Sequence, residues 1–247
     1  MGFLARFLCS NRKGKTRKLT MDGWTCQILD GTIRVRHRNK EQGEYPLLEE
    51  PYCSRCSSPG KKTDSCSWHS RFPSSLARVF AVGPYYPLLD PRASLLSTHI
   101  NQLKTEKQYS IPLGLAMSLV MLNRYSEDLR KCDLVAPVPL HQDSLATRGY
   151  DQSQELAKII SKQCQMRQAS LLTKLKEVKQ RGKGMEDRWN QVQEAYSCNT
   201  SCIGKAILLV DDVLTSGASL SECASVLARK GARMISGLVA GRDAERF

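Results

Sequence analysis

The 247-residue sequence predicts an α/β fold with a mostly parallel sheet flanked by helices. Apolar segments without polar–apolar alternation, typical of strands buried on both faces, alternate along the chain with segments of helical periodicity. The predicted strands are 134–138, 206–210 and 234–239, and the predicted helices are 152–164 and 219–230. Because alternating strands and helices build parallel sheets, we expect one α/β domain over 76–247.

The segment AILLVDDVLTSGAS, residues 206–219, predicts a ligand site. Its apolar run ends in two acids at the carboxyl end of a strand, where ligands bind in open α/β sheets. The following loop opens a helix, and the first N–H groups of a helix can bind phosphate. Adjacent carboxylates can accept hydrogen bonds from a vicinal diol, so the pattern predicts a ribose 5-phosphate ligand. The alternative is an ordinary helix cap beside solvated acids. The candidate binding residues are Asp211, Asp212, Thr215, Ser216, Gly217, Ala218 and Ser219.

Three segments resemble known protein families. VDDVLTSGAS resembles the phosphoribosyl pyrophosphate signature of type I phosphoribosyltransferases. Residues 134–157, LVAPVPLHQDSLATRGYDQSQELA, are similar to the PVPL…RGFNQ…LA segment of the competence protein F (ComF) family. Residues 180–196 resemble that family's Q…R..N…AF stretch, and 82–104 resemble its Tyr…Pro-Leu…Leu-Lys stretch. The resemblance covers roughly residues 51–243.

The resemblance implies a type I phosphoribosyltransferase-like fold that binds phosphoribosyl pyrophosphate with Mg²⁺. The 5-phosphate would lie on 215–219 and the ribose diol on the two acids. Pyrophosphate would contact the loop 141–152 through Arg148, whose planar guanidinium suits phosphate oxygens, and Gly149 would supply the turn. Catalysis would then depend on Arg148, Asp211 and Asp212. The basic, glycine-containing segment 174–188 occupies the place of the mobile loop that closes over pyrophosphate.

The activity itself stays open at this point. One hypothesis is a phosphoribosyltransferase acting on an unidentified acceptor. The other is a non-catalytic nucleic-acid-binding or regulatory protein that uses the fold as a ligand sensor, connected with competence and DNA uptake. Asp151 stands where the family motif has Asn, and we expect its negative charge to oppose pyrophosphate unless Mg²⁺ or Arg148 offsets it.

Four residues ahead of the α/β domain have the spacing of a metal site. Cys53, Cys56, Cys66 and His69 form C-x2-C-x9-C-x2-H within a predicted module over 51–72. Three thiolates and one imidazole make a closed tetrahedral set for structural Zn²⁺, against the alternative of reduced groups in a surface loop. We expect a cytoplasmic protein, because no secretory signal or membrane-length apolar stretch is found.

The amino-terminal residues are strongly basic. Of the formal net charge of +13, residues 1–40 carry ten Lys or Arg against two Asp, and residues 1–50 are predicted to be a basic extension. Within it, residues 32–40, TIRVRHRNK, predict a half-buried strand with a cationic face. Residues 1–40 could therefore bind single-stranded or duplex DNA. The alternative is a solvated extension that keeps the protein soluble.

Overall fold

The computed structural model describes residues 17–58, 60, 63–67, 72–176 and 192–244. It begins with a four-stranded antiparallel sheet in the order β1-β2-β3-β4. The strands are β1 (Lys18–Met21), β2 (Trp24–Ile28), β3 (Thr32–His37) and β4 (Lys40–Pro46). Ile33 and Val35 of β3 are fully buried, which confirms the predicted half-buried strand. The strand ends earlier than predicted, at a turn where Arg38 and Asn39 have positive φ.

The remaining elements build the α/β part of the chain. They are β5 (Leu76–Tyr85), α1 (Leu95–Gln102), α2 (Ser110–Arg124), α3 (Ser126–Lys131), β6 (Leu134–Pro137), α4 (Gln142–Arg148), α5 (Gln152–Cys164), β7 (Arg167–Gln168), β8 (Thr173–Lys174), β9 (Tyr196–Ser197), β10 (Ala206–Leu214), α6 (Ala218–Arg229) and β11 (Met234–Asp243). Strands β8 and β9 form a separate antiparallel pair.

Five strands form one parallel sheet in the order β5-β11-β10-β6-β7, which confirms the predicted fold class. From β6 the chain runs outward through α5 to β7, whereas from β10 it runs the other way through α6 to β11. The neighbouring strands β6 and β10 are therefore followed by connections that run in opposite directions along the sheet. Such a switch point opens a crevice at the carboxyl ends of the strands, where α/β proteins bind ligands.

The parallel sheet separates two hydrophobic clusters. Leu208 and Val210 of β10 face a cluster with α1, α2, α5 and the buried side of the antiparallel sheet, including Trp24. Ile207 and Leu209 face the other cluster, which contains α6 and the three cysteines at 53, 56 and 66. Because side chains alternate along a strand, one apolar run supplies both clusters. The sheet β1–β4 is thus part of the main core and not a detached segment.

Two strands are longer than the sequence predicted. The predicted ends at 210 and 239 lie at the last apolar residue of each run, but β10 continues to Leu214 and β11 to Asp243. The two strands stay paired over this stretch, with Asp211 opposite Val239 and Leu214 opposite Arg242. Among the residues described, no helix is long and apolar enough to cross a membrane.

Candidate functional site

A cleft of about 260 Å³ lies at the carboxyl end of β10. Its volume is on the scale of a small-molecule ligand. The residues that line it include Tyr85, Lys104, Arg148 and the continuous segment 211–220. Arg148, Asp211, Asp212 and the five loop residues predicted from the sequence therefore lie around one cavity. Gly149 does not line the cavity but directly follows Arg148 at the end of α4.

The two acids line the cleft and belong to the extended strand β10. Asp211 Oδ1 accepts hydrogen bonds from Ser153 Oγ at 2.8 Å and from the backbone N–H of Asp212 at 3.0 Å. Burial and the neighbouring charge of Asp212 raise the pKa of Asp211 to about 8. Burial also raises the pKa of Asp212, while the positive charges of Lys104 and Arg148 oppose the rise. The nearby positive charges therefore do not fully offset the cost of ionising the pair, which suits an added cation or hydroxyl donors.

The loop 215–217 and the start of α6 also line the cleft. Gly217 has φ +79° and precedes the helix, whose first bond runs from Ser221 N–H to the Gly217 carbonyl. A Cβ at Gly217 would lie 2.6 Å from Cε1 of Phe72, so glycine is required by both conformation and space. Amides ahead of the first intrahelical bond can face an anion, as the sequence predicted.

Arg148 reaches the cleft from a short helix and not from the loop predicted over 141–152. The helix α4 starts after His141, whose side chain accepts from the Asp143 N–H, and ends at Gly149 with φ +76°. Gly149 N–H donates to the Leu145 carbonyl at 2.8 Å, so Gly149 provides the predicted turn as a left-handed helix cap. Arg148 is exposed and lies near Asp212.

Asp151 has a structural role that its sequence position did not predict. One carboxylate oxygen accepts from the Leu140 N–H at 2.7 Å, and the other accepts from the Gln154 N–H at 2.9 Å at the start of α5. An asparagine in this orientation would place its NH2 donor against one of the two backbone amides. The negative charge of Asp151 is thus partly compensated by two backbone donors. Its charge still acts on Asp211, whose pKa it helps to raise.

Sequence reasoning did not assign a role to three residues around the acids. Lys104 follows α1 and lines the cleft, with Nζ 3.4 Å from Asn101 Oδ1. Tyr85 ends β5 at the rim, and Ser153 binds Asp211 from α5. The signal for Lys104 was its place at the end of the family-like stretch 82–104. Tyr85 and Ser153 also lie in family-like stretches, 82–104 and 134–157, but only the order of strands in the sheet shows that they lie near the acids.

Three of the four predicted metal ligands lie together. The sulfur atoms of Cys53, Cys56 and Cys66 are all within 4.8 Å of one another, and the three side chains are buried. Cys56 Sγ lies 3.6 Å from Cys66 Sγ and 3.0 Å from Ser58 Oγ. Three buried thiols at this spacing could hold a metal such as zinc. The predicted fourth ligand, His69, lies outside the described residues.

The predicted cationic face of β3 is paired with acids of the next strand. Arg34 Nε lies 3.5 Å from Glu41 and 3.4 Å from Glu44, and Arg36 Nη2 lies 3.6 Å from Glu41. Both glutamates fall just beyond the window 1–40 in which the basic charge was counted. Arg17 donates to the Leu122 carbonyl at the end of α2. Residues 1–16 and most of the predicted lid, 177–188, lie outside the described residues.

Curated proteins connected with DNA are similar to this chain. It is 28% identical to Competence protein F of Haemophilus influenzae over 196 residues, covering 75% of this chain and 82% of that protein. It is 26% identical to DNA utilization protein YhgH of Escherichia coli over 193 residues, covering 76% of this chain and 82% of that protein. The resemblance inferred from the sequence motifs is confirmed. No family model matches the chain.

A solved enzyme also matches the structure over most of the chain. It is the glutamine phosphoribosylpyrophosphate amidotransferase of B. subtilis complexed with ADP and GMP, with a TM-score of 0.36 and 15% sequence identity. The match covers 87% of this chain and 37% of that enzyme, so this chain spans little more than a third of its length.

Proposed function

Since this chain is a homologue of competence protein F, we propose that it is a phosphoribosyltransferase-like protein acting in competence or DNA uptake. Its ligand is phosphoribosyl pyrophosphate (PRPP) with Mg²⁺. The observation that carries the proposal is the cleft that joins the acidic pair, the helix start of α6 and two cationic side chains. Each of these features matches one chemical group of PRPP.

The binding mode follows from the groups that line the cleft. The 5-phosphate binds the amides of 215–219, where the helix dipole of α6 favours negative charge. The ribose hydroxyls donate to Asp211 and Asp212. Pyrophosphate contacts Arg148 from α4 and Lys104 from the end of α1, which supply positive charge on the other side of the acids.

The acidic pair also fits Mg²⁺. Hard carboxylate oxygens are the ligands that Mg²⁺ prefers, and the raised pKa values of both acids mark a place where added positive charge is stabilising. When bound, Mg²⁺ would neutralise charge on pyrophosphate. Asp211 and Asp212 would hold it, while Ser153 keeps Asp211 oriented through its 2.8 Å hydrogen bond.

Transfer requires few groups of the protein to react. The bond between the anomeric carbon and a pyrophosphate oxygen breaks, pyrophosphate keeps the electron pair, and an acceptor nucleophile forms the new bond to that carbon. Arg148 and Lys104 would stabilise the charge that develops on pyrophosphate, and the walls of the cleft would hold the ribose for in-line attack. The second candidate is a non-catalytic sensor, in which the same ligand binds without transfer.

Zinc and DNA complete the proposal. Cys53, Cys56 and Cys66, which lie together and are buried, would hold a structural Zn²⁺ with His69 as the predicted fourth ligand, and such a closed set leaves no position for substrate. Reduced thiols are needed for this, which supports a cytoplasmic location. DNA binding is assigned to the basic residues ahead of β1, since the arginines of β3 are paired with Glu41 and Glu44.

Calorimetric titration of the protein with PRPP and Mg²⁺, against ribose 5-phosphate with Mg²⁺, tests the proposed ligand. We expect PRPP to bind at least tenfold more tightly, because only PRPP reaches Arg148 and Lys104. Equal binding of the two, or no binding of PRPP, would contradict the proposal. Pyrophosphate release in the presence of candidate acceptor bases then separates an enzyme from a sensor.

A further inference from the structure

Arg242 links the cysteine cluster to the phosphate-binding loop. It lies near the end of β11, and its side chain is fully buried. Nη1 donates to the carbonyl oxygens of Leu214 and Thr215, both at 2.7 Å. Nη2 donates to Ser58 Oγ at 3.3 Å, and Ser58 Oγ lies 3.0 Å from Cys56 Sγ. One guanidinium therefore contacts both the loop that begins the phosphate site and the residue beside a metal ligand.

A fully buried arginine needs compensating charge, because desolvation of a cation is costly. The ionisable groups that face Arg242 are Cys56, Asp243, Cys66 and Cys53. Metal binding would deprotonate the three described cysteines, so three thiolates around one Zn²⁺ would carry a net charge of −1. The loaded cluster thus supplies an additional negative charge next to Arg242.

Other contacts hold the cysteine segment rigidly against the α/β sheet. Ser57 Oγ donates to the Val79 carbonyl of β5 at 2.7 Å, and Val79 N–H donates to the Arg55 carbonyl at 2.7 Å. Phe72 lies where a Cβ at Gly217 would be. Phe72 therefore lies directly against the phosphate loop, and Arg242 of β11 bridges the loop and Ser58 of the cysteine segment.

From this geometry we infer that Arg242 is a positioning residue that couples metal occupancy of the cysteine cluster to the conformation of residues 214–219. The coupling rests on the proposed function where it concerns PRPP: metal at the cluster strengthens PRPP binding, and PRPP strengthens metal binding by the same factor. The metal acts without touching the ligand. Ser58 transmits the effect between Cys56 and Arg242.

Hydrogen exchange of the amides of 214–219 tests the coupling without any ligand. In the wild type, removing metal with a chelator should speed exchange there about tenfold, and adding Zn²⁺ should restore the slow rate. In Arg242→Gln the fast rate should already be present with metal bound. In Ser58→Ala, which retains every metal ligand, the response to metal should shrink. Equal loop exchange in metal-loaded wild type and Arg242→Gln would overturn the inference.

Two controls separate coupling from a loss of folding. Arg233→Gln also removes an arginine that donates to two backbone carbonyls, those of Gly204 and Lys131, but it lies outside the cleft and should leave loop exchange unchanged. The amides of 207–210, in the middle of β10, report whether each variant is folded. If Arg242→Gln does not fold, Ser58→Ala decides the question by itself.

PRPP titration of metal-loaded and metal-free protein then measures the coupling at the ligand site. We expect the dissociation constant to rise about tenfold without metal in the wild type, and to change less than twofold in Ser58→Ala. Equal affinities of loaded and metal-free wild type would overturn the inference. If the wild type binds no PRPP in either state, the proposed function fails, and hydrogen exchange still decides whether Arg242 couples the two sites.

Discussion

Asp211 and Asp212 determine how the cleft responds to pH. The pKa of Asp211 is raised from 3.8 to about 8 by burial and by Asp212. Because the folded pKa is above the unfolded value, ionisation is harder in the folded protein. The contribution of Asp211 to stability therefore falls as the pH rises from 3.8 to about 8, and it stays constant at higher pH.

The substitution Asp211→Asn should consequently stabilise the folded protein more at high pH than at low pH. We expect its free energy of unfolding, relative to the wild type, to be higher at pH 8.5 than at pH 5 by about 1 kcal/mol or more, since each pKa unit corresponds to ~1.4 kcal/mol. Urea denaturation at the two pH values measures the difference. Asp30→Asn, at an exposed acid outside the cleft, serves as the control. A difference that does not change with pH would show that Asp211 is ionised in the folded protein without cost.

At the scale of single residues, the sequence predicted the residues that line the cleft better than the residues that hold them in place. Asp211, Asp212 and Gly217 are close together in the chain, so their chemistry can be inferred from one segment. Lys104 and Arg242 lie far from this segment in the sequence. The order of strands in the sheet brings them close to it, so their roles could not be inferred from the segment alone. A lone arginine near the end of an apolar stretch was a signal for Arg242, but its partners lie at positions 58, 214 and 215.

At the scale of elements, the start of α6 depends on Gly217 for two separable reasons. Its φ of +79° is costly for other residues, and Phe72 occupies the space of a Cβ. Gly204 has a similar φ of +68° with nothing within 4 Å of its Cβ position. A substitution there therefore measures the cost of the backbone conformation without a steric clash.

We therefore expect Gly217→Ala to lower the free energy of unfolding by about 2–3 kcal/mol and Gly204→Ala by about 1 kcal/mol. Gly217→Ala should also weaken PRPP binding at least tenfold, because the amides of 215–219 shift, whereas Gly204→Ala should not change it. Chemical denaturation and calorimetry provide the two measurements. Equal destabilisation by the two substitutions would mean that Phe72 moves aside easily.

The bounds of α5, β10 and β11 show that side-chain patterns predict buried faces but not backbone pairing. Helix α5 has the predicted bounds of 152–164, since its apolar face is a local signal in the sequence. Strands β10 and β11 extend beyond their apolar runs, because backbone pairing between them continues past the last apolar side chain. The helix α4 was missed because it has no buried residue and hence no apolar periodicity.

At the scale of the whole molecule, the fold places acidic residues beside several basic residues of the amino-terminal region. Residues 1–40 contain ten basic residues, but Arg34 and Arg36 are paired with acids and Arg17 contacts α2. Of the other seven, four lie in residues 1–16, and Lys18, Arg38 and Lys40 are exposed in the antiparallel sheet and its turn. Removing 1–40 would also remove three strands of the core, so a shorter deletion is the appropriate test.

Deleting residues 1–16 should flatten the salt dependence of DNA binding, by about 0.9 in the slope of log K against log salt for each phosphate that the protein no longer neutralises. Arg34→Gln with Arg36→Gln should leave the slope nearly unchanged, because Glu41 and Glu44 already neutralise these arginines. Fluorescence anisotropy with a labelled single strand and a labelled duplex measures both. A slope that falls in the double variant and not in the deletion would place DNA on β3 instead.

In the proposed binding mode, the acidic pair Asp211 and Asp212 of β10 binds the ribose of PRPP. Calorimetric titration of Asp211→Asn/Asp212→Asn with PRPP and Mg²⁺, beside the wild type and Asp30→Asn, tests it most directly. We expect tight binding by the wild type and the control, and affinity lower by a factor of about 100 in the double variant, since hydrogen bonds to charged groups contribute ~1.5–3 kcal/mol each. Equal affinity of the folded double variant and the wild type would contradict it.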